Sequence, residues 1–373
     1  MPGALVSLIA TGCQDAVLTQ DPEITYWKTK HSRHTNFARE SIEQTFNGSV
    51  SKGGRITATI SRNGDLFHGA WLEFDVKVGE DTSITADYSA FDLIKKVRIE
   101  VGGSNVDEQP GHYMKTYMEL SSSSDERAVL AEMSTLKIAG KADMQKVRVP
   151  LNSFWFCKDH GQALPLIALQ YHEVKIIVEL ADRKELDTAR CALWVDYVFL
   201  DGPERKRFAR DQHQYLFEQV QSVTESVSEN ATSFKPKLQL NHPCKELIWT
   251  FHSTSTGKQL SLDQCKLDRA KIRLNGHDLF ADRDAKYFSQ VQRYTHHTNG
   301  GSATGDSDIF LYSFALFPEK LQPSGTCNMS RIDNSSLELT FASGAPAMEV
   351  RVTAVNYNVL RLTSGMGGVA YSN

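Results

Sequence analysis

A weak internal repeat constrains this chain more than any other feature of its sequence. Ser41-Ile-Glu-Gln-Thr45 is matched 175 residues later by Leu216-Phe-Glu-Gln-Val220. At the same offset an alternating apolar set recurs, with Leu72, Phe74 and Val76 corresponding to Leu247, Trp249 and Phe251. Matches that keep their order along a chain indicate two copies of one structural unit. The 373 residues are enough for each copy to bury its own core.

The offset between the two copies falls once along the chain. Ile99-Glu-Val-Gly-Gly103 matches Ile272-Arg-Leu-Asn-Gly276 at an offset of 173. Two later matches, at an offset of 160, pair Asn152-Ser-Phe154 with Tyr312-Ser-Phe314 and Asp196-Tyr197 with Asn356-Tyr357. The fall predicts an insertion of roughly a dozen residues in the first copy, between Tyr113 and Ser153.

Two loops occupy the same point of this repeat. The first spans 121–146 and contains a serine-rich run, and the second spans 296–307 and is rich in glycine. Because they are equivalent positions of one repeated unit, we expect both loops to project from the same end of the molecule.

Short runs of β-branched and aromatic residues, separated by Gly and Asn turns, dominate both copies. Arg55–Ser61 alternates in polarity and is followed by Asn63-Gly64, which predicts a hairpin. Gly102-Gly103 follows another strand-like run and predicts a β-turn rather than a phosphate-binding loop. Helices are predicted at Tyr113–Leu120 and Glu126–Leu136. This pattern predicts an all-β protein, a duplicated sandwich with few short helices in its loops.

The stretch from Leu193 to Gln221 predicts the joint between the copies. A strand-like run to Leu200 is followed by a break at Asp201-Gly202-Pro203, and a second strand-like run begins at Tyr215. We therefore expect four parts: an N-terminal arm at 1–36, a first domain at 37–204, a linker at 205–214 and a second domain at 215–373.

The linker is basic and has two interpretations. Its cationic residues are Arg205, Lys206, Arg207 and Arg210. They could bind an anion, but the pattern favours a short helix whose charges pair with the nearby residues Asp201, Glu204 and Asp211. Such pairing would fix the angle between the two domains and would bind no ligand.

Charge and cysteine usage exclude several classes of protein. The chain has 41 Lys and Arg against 45 Asp and Glu, a net charge of −4, which excludes a protein that coats nucleic acid. Its six cysteines form no CxxC pair, which favours free, mostly buried thiols in a reducing compartment. The apolar run Ala4–Ala10 is too short to span a bilayer and has no preceding basic region. We therefore expect the chain to fold in the cytosol.

The sequence contains no motif for nucleophilic, phosphoryl-transfer or zinc-dependent catalysis. His31 and His34 have a spacing that metal ligands use, but no nearby carboxylate or thiolate completes a set, so polar packing is expected. His296-His297 lies in a loop where a solvated pair is expected. We therefore predict no catalytic residues, no cofactor-binding residues, no metal site and no cofactor. The apolar arm points instead to assembly.

Four groups of motifs occur in a fixed order along the chain. They are Leu5–Asp15 with Asp21–Lys28 and Arg33–Ala38; Asp196–Asp201 with Glu204–Phe208 and Tyr215–Val220; Ser324–Asp333; and Gly368–Asn373. Together they resemble the major capsid proteins of nucleocytoplasmic large DNA viruses, of the algal-virus and iridovirus type. The resemblance covers nearly the whole chain.

The resemblance implies a double jelly roll, two tandem eight-stranded jelly rolls, in a structural protein that is not an enzyme. It implies a homotrimer with a pseudo-hexameric outline, which tiles an icosahedral capsid. The implied partners are the chain itself, neighbouring capsomers, minor capsid proteins and, through the N-terminal arm, the internal viral membrane, with no direct contact to nucleic acid. The implied location is the virion, after synthesis and assembly in the host cytoplasm.

Two other interpretations stay open at this point. A jelly-roll carbohydrate-binding or cupin-like enzyme module would need a His/Glu metal set on inward strand positions, and the sequence shows none. A minor vertex capsid protein usually has one jelly roll, so the repeat argues against it.

Overall fold

The computed structural model describes residues 2–24, 26–27, 29–77, 88–137, 144–255, 257–301 and 309–372. By internal contacts the chain divides into two units, Met1–Asn36 and Phe37–Asn373. The first unit carries two short helices, α1 at Gly3–Ile9 and α2 at Ala16–Thr19, and neither buries a side chain. The predicted loops 121–146 and 296–307 include residues 138–143 and 302–307, which lie outside the described residues.

The second unit contains two rolls. The strands of the first roll are β1 (Phe37–Gln44), β2 (Phe46–Asn47), β3 (Arg55–Thr59), β4 (Leu66–Lys77), β5 (Tyr88–Ser89), β6 (Ile94–Val101), β7 (Ser104–Pro110), β8 (Thr135–Leu136), β9 (Met144–Pro150), β10 (Leu164–Pro165), β11 (Val174–Leu180) and β12 (Arg190–Leu200). The strands of the second roll are β13 (His213–Val227), β14 (Ser233–Phe234), β15 (Lys237–Leu238), β16 (Pro243–Ser253), β17 (Leu267–Leu274), β18 (His277–Asp278), β19 (Arg283–Asp284), β20 (Ile309–Ser313), β21 (Cys327–Asn328), β22 (Ser335–Phe341), β23 (Met348–Thr363) and β24 (Met366–Val369).

Short helices occupy the connections between these strands. The α-helices are α3 (Gly111–Ser121), α4 (Ser124–Ser134), α5 (Trp155–Lys158), α6 (Gly202–Arg210), α7 (Leu262–Cys265) and α8 (Gln292–His296). A π-helix spans Tyr287–Val291. Single 3₁₀ turns lie at Ala90–Leu93, His160–Gln162, Leu166–Ala168, Lys184–Thr188 and Met329–Arg331. α3 and α4 confirm the two predicted helices, and α4 begins at a capping box formed by Ser123 and Glu126.

Both rolls have the same antiparallel topology. In the first, one sheet has the order β1-β12-β4, with β9 and β10 beside β4, and the other has the order β2-β3-β11-β6-β7. In the second, β13-β23-β16-β20 and β22-β17-β18 repeat these orders, with β14 and β15 beside β22. In each roll the first long strand pairs with the last long strand, β1 with β12 and β13 with β23, as in a jelly roll, and short additional strands extend the sheets. The predicted all-β double jelly roll is therefore confirmed.

Each roll encloses its own apolar core because alternate residues of every strand face inward. Leu72, Phe74 and Val76 of β4 belong to the core of the first roll. Trp249 and Phe251 of β16 belong to that of the second. The matched segments of the sequence repeat therefore lie on corresponding strands.

The sheet register corrects the later offsets of the repeat. Leu72 lies opposite Leu193 and Val149, whereas its counterpart Leu247 lies opposite Ala354 and Tyr312. The offset between β12 and β23 is therefore 161, and the offset between β9 and β20 is 163. The value of 160 taken from the sequence was too small by one residue for the first pair and by three for the second. The insertion that separates 173 from 163 lies between β6 and β9, as predicted, and contains α4.

The hairpin predicted at Asn63-Gly64 is wrong. β3 and β4, which flank it, belong to different sheets, so the segment crosses from one sheet to the other. Glycine is needed there because a Cβ on Gly64 would lie 2.7 Å from the Cβ of Tyr197. The turn predicted at Gly102-Gly103 is confirmed, since it joins the paired strands β6 and β7 with φ angles of 59° and 83°.

Candidate functional site

The two rolls are joined by a buried layer of apolar side chains. The outer face of the β13-β23-β16-β20 sheet packs against α3 of the first roll. The layer comprises Tyr113, Leu120, Val220, Ile248, Ile309, Leu311 and Val355. Phe217 extends the contact to Trp155, with ring centroids 4.8 Å apart. Burial of this area stabilises the rolls as one body.

Hydrogen bonds between side chains and backbone groups join β13 to β7. The carboxylate of Asp107 accepts a hydrogen bond from the backbone N–H of Val220 at 3.0 Å. The side-chain amide of Gln219 donates to the carbonyl of Val106 at 2.9 Å. Burial raises the pKa of Asp107 to about 7. These directional contacts fix the register between the rolls, which apolar packing alone would not do.

A buried carboxylate lies between cations of both rolls. Glu218 of β13 accepts from Lys158 of α5 at 2.5 Å and forms a very short ion pair with Lys245 of β16. The ammonium of Lys158 also lies 4.1 Å from the ring centroid of Tyr117. Burial alone would raise the pKa of Glu218, but the two ammonium groups outweigh it and lower the pKa to about 2.

His297 forms a second buried ion-pair group next to this one. Its Nε2 lies 3.1 Å from Glu246 and its Nδ1 lies 3.0 Å from Glu319. Burial would lower the pKa of His297, but the two carboxylates raise it to about 9, so the imidazolium is the stable form. The solvated pair predicted at His296-His297 is wrong for His297, because the loop folds back onto β16.

The loop after α8 binds the end of α3. The backbone N–H and the side-chain amide of Asn299 donate to the carbonyls of Leu120 and Glu119, at 3.0 and 2.7 Å. Arg293, which is buried, donates to the carboxylate of Glu119 at 3.0 Å. The last turn of a helix leaves carbonyls without intrahelical partners. The second roll supplies donors to two of them, so α3 is stabilised by both rolls.

The linker forms the helix α6, as the basic pattern predicted. Arg207 pairs with Asp211 at 3.4 Å, as expected, but Arg205 pairs with the buried Asp65 of the first roll at 3.0 Å. The side chain of Asp201 caps the helix by accepting from Gly202. Arg205 and Arg207 thus have structural partners.

The described residues contain no group of three or more His, Cys, Asp and Glu side chains arranged to hold a metal ion. His31 and His34 lie in the arm and are exposed, and the Nδ1 of His34 contacts the carbonyl of Thr35 at 2.7 Å. None of the described helices has the length and hydropathy of a membrane span. The six cysteines are unbridged.

A cavity of about 840 Å³ lies at this junction. Its lining includes Val129 and Met133 of α4 together with Lys158, Glu218 and Glu319. On its wall Lys158 pairs with Glu218, and Glu319 pairs with the buried His297. The junction can therefore orient two rolls, and its titratable groups serve packing.

Sequence reasoning located the joint between the copies but missed its charged core. Lys158, Glu218 and Lys245 are far apart in the sequence and carry no motif. A signal was available at Glu218, a single charge within a strand-like run, and at Lys245-Glu246, two charges at the start of an apolar run.

Comparison with known proteins identifies the family. Residues 25–201 match the family described as "Major capsid protein N-terminus", and residues 204–368 match "Large eukaryotic DNA virus major capsid protein". The chain is 42% identical to the major capsid protein of Pyramimonas orientalis virus and 38% identical to that of Paramecium bursaria Chlorella virus 1. Both alignments cover 100% of each chain.

Solved structures agree with these relatives. A crystal structure of PBCV-1 VP54 is 36% identical, with a TM-score of 0.83 over 94% of this chain and 100% of that one. The Faustovirus major capsid protein has a TM-score of 0.75 at 12% identity, covers 96% of each chain and shows the shared fold.

Proposed function

This chain belongs to the major capsid protein family of large eukaryotic DNA viruses, and on that premise we propose that three copies assemble into one pseudo-hexameric capsomer. The observation that carries this proposal is the pair of equivalent rolls, held together by a buried polar and apolar junction. Two rolls in each of three chains give six similar units around one axis. Such capsomers then pack side by side in the shell of an icosahedral virion.

The division of the chain follows from the same proposal. We assign 1–36 to an arm, 37–204 to the first roll, 205–214 to the linker and 215–373 to the second roll. α6, at Gly202–Arg210, lies across the first of these linker boundaries and joins β12 to β13. Because the linker ion-pairs with the first roll through Arg205, it limits the angles that the two rolls can adopt.

The arm is proposed to bind minor capsid proteins and the internal membrane. Its apolar side chains are exposed, with Trp27 at 86% and Leu18 at 82%. A segment with exposed apolar side chains and no core of its own is stabilised by burial on a partner. We assign the chain no catalytic role and no direct contact with nucleic acid, in keeping with its net charge of −4. Assembly is proposed to take place in the host cytoplasm.

Size-exclusion chromatography with light scattering, followed by electron microscopy of the purified full chain, tests the capsomer. We expect a species of three times 41.7 kDa with a hexagonal outline. A strictly monomeric chain at micromolar concentration would contradict the proposal. Removal of residues 1–36 should preserve the trimer and abolish binding to lipid vesicles, and vesicle binding that survives the deletion would exclude the arm as the membrane contact.

A further inference from the structure

The register of the sheets aligns the outer faces of the two rolls residue by residue. In the first roll Trp71 of β4 lies opposite Trp194 of β12. The equivalent pair in the second roll is Glu246 of β16 opposite Val355 of β23. On β4 and β9 the next outward pairs are Glu73 with Arg148 and Asp75 with Lys146. Their counterparts on β16 and β20 are Ile248 with Leu311 and Thr250 with Ile309. One face of one fold is therefore present twice in the chain.

The two copies of this face differ in chemistry. In the second roll it presents Ile248, Ile309, Leu311 and Val355, and α3 covers it. In the first roll the same four positions are Glu73, Lys146, Arg148 and Trp194. We call the version on the first roll the first-roll face; it comprises Trp71, Glu73, Lys146, Arg148 and Trp194.

The first-roll face is ordered but open to solvent. Glu73 accepts from Lys146 at 2.7 Å and from Arg148 at 3.0 Å, and each of these cations keeps about half of its side chain exposed. The rings of Trp71 and Trp194 stack with centroids 6.4 Å apart. A stacked tryptophan pair beside fixed charges is typical of a surface that binds a protein, since aromatic residues and arginine are enriched in interfaces.

The second roll carries the counterpart of α3. The sequence repeat aligns Tyr113 with Tyr287, and α3 presents Tyr113, Tyr117 and Leu120 to the junction at a spacing of four and three residues. The same spacing from Tyr287 reaches Val291 and Tyr294, which are 52% and 81% exposed. Tyr287 itself packs against the core of the second roll, so we call Val291 and Tyr294 the second-roll helical face.

We infer that the second-roll helical face of one copy of this chain binds the first-roll face of a second copy. The partner is a second copy because the chain already contains this contact once, between α3 and the second roll, and also carries a second, solvent-accessible version of each half. A head-to-tail contact relates each chain to the next by a fixed rotation. The chains form a closed ring when a whole number of these rotations makes a full turn. The inference rests on the proposed capsomer and specifies which surfaces join its chains.

The first-roll face is more polar than its counterpart in the internal junction. It carries Glu73, whose side chain is 14% exposed, with the half-exposed cations Lys146 and Arg148, whereas the internal junction buries Ile248, Ile309 and Leu311 at the same positions. A contact that buries less apolar surface is weaker, so we expect the trimer to dissociate under conditions in which each chain keeps its rolls together.

The variant Val291→Glu/Tyr294→Glu tests the assignment by sedimentation equilibrium of the full chain. We expect the trimer dissociation constant to rise at least about tenfold, with an unchanged circular dichroism spectrum. Tyr171→Glu, which changes another exposed tyrosine, is the matched control and should leave the trimer intact. If the wild type forms trimers and the double variant forms them equally well, the surface assignment is overturned while the capsomer stands.

Cross-linking provides a second readout that does not depend on stability. Chains carrying Cys13→Ser and Trp194→Cys are mixed with chains carrying Cys13→Ser and Tyr294→Cys and oxidised mildly, because Cys13 is exposed and would cross-link by itself. We expect a covalent dimer from the mixture that neither variant gives alone. Wild-type trimers whose mixed variants give no additional dimer would also overturn the assignment, and a wild type that stays monomeric would instead overturn the capsomer itself.

Discussion

The carboxylate of Glu218 lies between the ammonium groups of Lys158 and Lys245, so one acid of the second roll binds a cation from each roll. Glu218 and Lys245 are almost inaccessible to water, and the side chain of Lys158 is 16% exposed. Removal of one partner from a buried ion-pair group leaves uncompensated charge, which costs about 3–5 kcal/mol. The junction is therefore sensitive to single substitutions at this point.

Glu218→Gln should lower the free energy of unfolding by about 3–5 kcal/mol, because two buried ammonium groups lose their counter-charge. Urea denaturation followed by tryptophan fluorescence measures this. Glu225→Gln, at a more exposed position of the same strand, is the control and should change stability by no more than about 0.5 kcal/mol. Equal stability of the two variants would show that the ion-pair group does not stabilise the junction.

The imidazolium of His297 should make stability depend on pH. Its pKa is raised from 6.5 to about 9 in the folded chain, so its contribution is complete below pH 6.5 and is lost as the pH rises through 9. The shift corresponds to about 3 kcal/mol at most. Denaturation at pH 6.5 and pH 9.5 should show this loss in the wild type and a smaller one in His297→Gln.

His296→Gln is the matched control for this measurement. His296 contacts the carbonyl of Leu316 and is not part of the buried group, so its variant should keep the wild-type dependence on pH. If His297→Gln loses as much stability between the two pH values as the wild type does, the dependence arises from other groups, such as Asp107.

The fold could be predicted from the sequence because its signals are local or repeated. Alternation in β4 and β16 and the matched segments at a constant offset need no knowledge of the contacts between strands. The junction could not be predicted in this way. Lys158 and Glu218 meet only because α5 packs on β13, and the sequence pattern gives no measure of that distance. The burial of His297 could not be predicted for the same reason, because its partners Glu246 and Glu319 lie 51 and 22 residues away in the sequence.

The wrong hairpin at Asn63-Gly64 has a different cause. The dipeptide is a strong turn signal, but its glycine is needed for the close approach to Tyr197 rather than for a tight turn. Local sequence cannot distinguish a glycine required by a turn from one required by a neighbouring side chain.

Gly111→Ala should destabilise the first roll strongly. A Cβ at this position, where α3 begins, would lie 2.2 Å from the carbonyl oxygen of Ile94 and 2.6 Å from that of Phe91. Both obstacles are backbone atoms, so relief requires a shift of α3 and should cost about 1–3 kcal/mol. Gly202→Ala, at the start of α6 with no atom within 4 Å, should be neutral. Similar melting temperatures for both variants would contradict this argument.

Two arginines of the linker, two positions apart, should respond differently to charge reversal. Arg205 pairs with Asp65, which is buried and also accepts from the backbone N–H of Leu200 at 2.9 Å. Arg205→Glu would place two carboxylates together and should lower stability by about 1–2 kcal/mol. Arg207→Glu breaks only an exposed pair with Asp211 and should cost about 0.5 kcal/mol. Urea denaturation of both variants checks the contrast, and a larger loss for Arg207→Glu would show that Arg205 does not link α6 to the first roll.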